Sequence, residues 1–183
     1  GLVQDLAGDP SGRTYTATFT ADDGFSGTGS VTVGTAWQDA AGNAGTGGSD
    51  EVAIDRLNPG VTVNIVDAAL SDGDASSAVS FVFSEAPVNF GADDIVAVGG
   101  TVDGLVQDLA GDPSGRTYTA TFTADDGFSG TGSVTVGTAW QDAAGNAGTG
   151  GSDEVAIDRL NPGVTVNIVD AALSDGDASS AVS

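Results

Sequence analysis

The sequence predicts an all-β chain of tandem sandwich modules, and three observations carry that expectation. Residues 1–80 recur letter for letter as residues 104–183, which sets a repeat period of 103. Apolar residues alternate with polar ones at every second position, and no window shows a helical stripe. Runs rich in Gly, Asp and Ser interrupt the alternating stretches as turn signals. One period has the usual size of a domain, so 183 residues amount to about 1.8 modules. Adjacent identical copies suit an array of structural modules, because an enzyme rarely duplicates its whole body beside itself.

Within one period, Val61, Val63 and Ile65 alternate with Thr62 and Asn64. Val79, Phe81 and Phe83 alternate with Ser80, Val82 and Ser84. In Thr117–Thr123, Tyr118, Ala120 and Phe122 point one way and the four threonines the other. Val134, Val136 and Trp140 share a parity, which places Trp140 and its repeat Trp37 on the inward side of one strand; Val155 and Ile157 share another. The breakers are SDGDASS, GGTVDG, AGDPSGR, ADDGFSGTG and DAAGNAGTGG. The spacing predicts about seven strands per period, a β-sandwich of immunoglobulin type.

The module boundary falls at Asp158, Arg159, Leu160, Asn161 and Pro162, matched by Asp55 through Pro59. Proline ends the hydrogen bonding of the preceding strand and stiffens a short link. Residues 58–160 are then one whole domain, 1–57 the last four strands of a preceding copy, and 161–183 the start of a following one. The partial copies lack the counterpart of residues 81–103 and leave open sheet edges, so they are expected to fray or to pair with a neighbouring molecule.

Composition narrows the function. His, Cys, Met and Lys are absent, which removes the commonest general base, the thiol nucleophile and the ligands preferred by zinc, copper or iron. The chain carries 26 acids against four arginines, a net charge of −22. Nucleic acid and anionic membranes would repel it, and self-repulsion destabilises the compact state unless cations neutralise it. Such a charge also favours disorder, but the strong apolar patterning argues against that. No run is long enough to span a bilayer and no signal peptide is present. Because the chain opens at Gly1, it is expected to be a segment whose targeting signals lie elsewhere.

The ordered series VTVNIVD, LSDGDASS, FVFSEAP, DDIVAVGG, TYTATFTADDG, GSVTVGTAWQDAAGN and GSDEVAIDRLNP resembles the bacterial Ig-like repeats that form the extender regions of giant RTX-type and biofilm-associated adhesins. The resemblance covers the whole chain. It implies secretion by a type I system to the bacterial cell surface, calcium near domain junctions, and a role in holding a distal adhesive domain away from the cell.

Immunoglobulin strand order allows the loops to be placed. With the first strand, A, starting at Val61, the C-terminal end gathers Asp67, Asp72 and Asp74 from loop A–B, Asp125 and Asp126 from E–F, and Asp158 closing strand G. The N-terminal end gathers Glu85 from B–C, and Asp142 and Asn146 from F–G. The linkers add Asp55 at the first junction and Asn161 at the second. Consecutive modules thus bring acidic ends together with almost no Arg or Lys to pair them. A hard divalent cation turns such a cluster into oxygen ligands, and calcium fits better than magnesium, which wants rigid octahedral geometry. The plainer reading is that these are polar turn residues, since Asp and Asn favour turns by local hydrogen bonding.

Other features are read structurally. The threonine ladder is the solvent side of a strand, too narrow for an ice-binding face. Asp125 and Asp126 lie in a turn without an aromatic cleft, which argues against paired-carboxylate hydrolysis. GTGGSDE lacks the spacing and lysine of a phosphate-binding loop. The expected role is a calcium-stiffened spacer whose partners are neighbouring identical repeats, with no small-molecule substrate. An Ig-like module that itself binds a glycan or protein is the alternative, although its tips lack aromatic or Arg anchors.

Overall fold

The computed structural model describes all 183 residues. The strands are β1 (Val3–Gln4), β2 (Tyr15–Thr16), β3 (Ser26–Val33), β4 (Gly48–Asp55), β5 (Val61–Ile65), β6 (Ala69–Ser71), β7 (Ser76–Phe83), β8 (Ile95–Val98), β9 (Gly100–Gln107), β10 (Thr117–Ala124), β11 (Ser129–Val136) and β12 (Gly151–Asp158). A single 3-10 turn at Ala92–Asp94 is the sole helical element.

Residues 58–160 hold two four-stranded sheets, ordered β5-β7-β10-β9 and β6-β12-β11-β8. Every pairing is antiparallel except β6 with β12. This is an immunoglobulin-like sandwich whose first strand is split between the sheets. The split makes eight strands where periodicity predicts about seven. It occurs at Val66–Ala68, where the Asp67 N–H leaves the ladder and donates to Ser77 Oγ at 2.9 Å. The chain changes sheets again between β8 and β9 through one residue, Gly99, at φ 73°, a conformation that glycine adopts without a Cβ clash.

The predicted alternation becomes the core. Val63, Ile65, Val79, Phe81, Phe83, Ala120 and Phe122 face Leu70, Val134, Val136, Val155 and Ile157 across the sandwich, while Thr119, Thr121 and Thr123 face solvent. Trp140 is buried with them, but not from strand F. That strand ends at Val136, and the indole enters from the following loop, donating to Gly137 O at 3.1 Å. Gly148 leaves room for it, since a Cβ there would lie 2.2 Å from the ring. Phe83 meets Trp140 edge-on at 4.8 Å, Phe90 at 4.8 Å and Tyr118 at 5.7 Å. Such pairs contribute about 0.5–1.5 kcal/mol each beyond their buried area.

The flanking copies differ. In residues 1–57 the four expected strands are β1 to β4, but β1 and β2 have two residues each. Residues 161–183 form no strand, only the bridges Ile168 to Val182 and Ser174 to Asp177. Trp37, expected in a core, is exposed here, because no first sheet covers the β3–β4 hairpin.

Candidate metal centre

The link between the first copy and the complete repeat is held at both ends. On its far side, Pro59 is buried and its carbonyl accepts from Thr149 N–H at 2.8 Å and Thr149 Oγ1 at 3.1 Å. Gly60 N–H donates to Ser84 Oγ at 3.0 Å, and Ser84 N–H returns to Gly60 O at 2.9 Å. On its near side, Asp55 closes β4 and its carbonyl accepts from Asn146 Nδ2 at 3.2 Å. Strand G of one copy therefore ends against the F–G loop of the next.

Three carboxylates meet there. Asp55, Glu85 and Asp142 each bring an oxygen to a site where all three lie within 4.8 Å of one another. Asp142 is 1% exposed and is held by its own loop: Asn146 N–H donates to Oδ1 and Nδ2 to Oδ2, both at 2.8 Å. Burial acts to raise its pKa, but the Asn146, Gly145 and Ala144 hydrogen bonds outweigh this and hold it below the ordinary aspartate value. Glu85 has no such donors. Burial first, then the Asp55 and Asp142 charges, push its pKa up.

No arginine answers this cluster. The ion pairs of the chain are Arg56 with Asp23, and Arg159 with Asp72 and Asp126. Arg116 lies nearby but donates to Ser84 O at 3.4 Å. Two unit charges at this separation repel by about 3 kcal/mol at an effective dielectric of ~20, before solvent screening. Oxygen donors without nitrogen or sulfur suit a hard cation with flexible coordination, which is calcium's preference. Asp55, Glu85 and Asp142 would hold it, and Asn146 fixes the Asp142 side chain beside it.

The other candidate ligands do not join this group or form another like it. At the C-terminal end, Asp72 and Asp126 share Arg159 at 3.2 and 3.7 Å, and the same guanidinium donates to Ala124 O. That end is neutralised in part by a residue of the chain, against the expectation that its acids lack basic partners. Asp74 closes a tight turn with Ser71, Asp125 N–H donates to Gly99 O, and Asp67 lies in the crossover between β5 and β6. Asp158 occupies the position that Asp55 holds at the first junction, and Asn161 follows it, both exposed. Residues 161–183 include no counterpart of Glu85 or Asp142 to meet them. Sequence reasoning missed the clasp of Thr149 and Ser84 on Pro59 and Gly60. It also missed the Arg159 pairing, whose only signal was an arginine directly after Asp in both copies of the linker.

Residues 1–56 and 55–158 each match the family model described as bacterial Ig-like domain. No curated protein and no solved structure matches the chain. No helix is long and apolar enough to cross a membrane. Domains of this family are typically non-catalytic modules, commonly at the extracellular surface. With two matched spans covering most of its length and an immunoglobulin-like sandwich for its complete repeat, the chain belongs to the bacterial Ig-like domain family.

Proposed function

We propose that this chain is part of the spacer of a bacterial cell-surface adhesin, in which calcium at each junction locks consecutive repeats into a stiff rod bearing a distal adhesive domain. The observation that carries the reading is the convergence of Asp55 from one repeat with Glu85 and Asp142 from the next, without an arginine among them. Without a cation these groups push the two repeats apart. Calcium supplies the positive charge that converts the repulsion into a bridge between them. Copies identical over 80 residues fit a spacer, which asks nothing different of each module.

Extracellular calcium modules bind at about 0.1–1 mM. At calcium ~100-fold above the dissociation constant, one site contributes about 2.7 kcal/mol. Adding calcium to the chelated chain is expected to raise its melting temperature and narrow the spread of inter-repeat geometries in small-angle scattering. Unchanged melting and scattering across a calcium titration to 10-fold above that affinity range, together with binding on a glycan array, would replace the spacer with a recognition module.

A further inference from the structure

We infer that the linker arginine, Arg56 at this junction and Arg159 at the next, is a positioning residue that fastens the strand G carboxylate in place before any cation arrives. The inference rests on the metal reading above and assigns Arg56 a role in it. Arg56 directly follows Asp55, and the backbone of the two residues faces opposite ways. The Asp55 carbonyl is held by Asn146 of the following repeat. Arg56 turns back onto its own copy. Its N–H donates to Phe25 O at 2.9 Å and its carbonyl accepts from Gly24 N–H at 3.1 Å. Its guanidinium donates to Ala21 O and lies 3.4 Å from Asp23. All of these partners belong to the segment between β2 and β3, the E–F loop of the first copy.

The same arrangement recurs one period later. Arg159 N–H donates to Phe128 O at 2.8 Å, and its guanidinium takes Ala124 O, Asp126 and Asp72. Asp72 belongs to the loop before β7, so in the complete repeat the arginine ties the linker to two loops, where in the first copy it ties it to one. Asp55 ends its ladder opposite Ser26, and the next fixed point toward the following repeat is Pro59. Arg56 removes the pivot between them. The planar fork matters here, because it reaches a carbonyl and a carboxylate at once, which an ammonium does not do in a fixed geometry. The arginine also pairs with one acid of the E–F loop, Asp23, and stays out of the Asp55, Glu85 and Asp142 group.

The test compares the full chain with Arg56→Gln, Arg56→Lys and Arg159→Gln. Calcium affinity is read by titration calorimetry, inter-repeat flexibility by small-angle scattering in chelator, and the β3–β4 ladder by amide exchange. Residues that orient metal ligands from outside alter affinity by about 10–100-fold. Arg56→Lys keeps the charge and loses the fork, so a weakening of about 10-fold with the ladder's exchange unchanged is expected. Arg56→Gln should weaken binding similarly and loosen the chelated junction, while Arg159→Gln, at the far end, leaves both readings at this junction as in the parent. Parent affinity in Arg56→Lys, or tighter binding in Arg56→Gln, would mean that only charge acts and would overturn the inference. A parent chain that binds no calcium overturns the metal reading instead; the chelated scattering then decides whether Arg56 still holds the joint.

Discussion

The hairpins β3–β4 and β11–β12 have the same sequence and the same ladder, yet only one of them is part of a folded interior. Ser26 pairs with Asp55 through to Val33 with Gly48, as Ser129 pairs with Asp158 through to Val136 with Gly151. Val31 is 53% exposed and its repeat Val134 is fully buried; Trp37 is 52% exposed and Trp140 1%. The turns that follow are alike too. Asn43 holds Asp39 through N–H and Nδ2 at 2.8 and 2.9 Å, as Asn146 holds Asp142. Hydrogen bonding along the hairpin is thus local, whereas burial requires β5 and β7 on the opposite face. A strand pair by itself satisfies its backbone but leaves its apolar side in water.

The largest expected contrast is between the two tryptophans. Trp140→Ala should destabilise the complete repeat by about 3–5 kcal/mol, and Trp37→Ala by roughly 0.5 kcal/mol or less, in denaturant unfolding. Equal losses would mean that the first copy has a packed interior in solution.

Next comes the contrast between the two aspartates. Asp142→Asn is expected to remove the calcium-dependent gain in stability, about 2.7 kcal/mol at calcium ~100-fold above the dissociation constant. Asp39→Asn, the same change where no Glu85 or Asp55 counterpart approaches, should preserve the gain. Thermal melts with and without chelator separate the two.

Glu85 adds a pH dependence. Its folded pKa is raised, so its contribution to stability is present below the ordinary glutamate value and lost as pH climbs through the raised one. Asp142 runs the other way: its pKa is lowered, and its contribution is present above the ordinary aspartate value and lost as pH falls. In chelator, Glu85→Gln should remove the loss on the alkaline side and leave the acid limb intact. A parent and variant with superimposable pH profiles would contradict this assignment.

The smallest effect belongs to the exposed ion pair. Asp126 lies 3.7 Å from Arg159 and is largely solvated, so Asp126→Asn should change stability by about 0.5 kcal/mol or less.

Strand identity was legible wherever alternation was clean. Val61, Val63 and Ile65 and the Val79, Phe81 and Phe83 series needed no tertiary information, because their pattern follows from a pleat with one buried face. Trp140 was misplaced on strand F for a physical reason: parity continues on paper past Val136, but the ladder stops there and the ring enters from a loop. The candidate ligands were legible as a set of acids at domain ends. Which of them meet was not, since Asp142 and Asp39 have the same neighbours in sequence.

Residue order alone therefore settles what neighbours a few positions apart can settle: the alternating strand segments, the Asx-type turns at Asp39 and Asp142, and the inward or outward parity within each strand. The folded arrangement settles the split of the first strand, the burial of one copy's valines, and the meeting of Asp55 with Glu85 and Asp142. The reason lies in separation along the chain. Asn43 reaches Asp39 across four residues, whereas Asn146 reaches the Asp55 carbonyl across 91, and contacts of that span exist only once two sheets and a linker have been brought together.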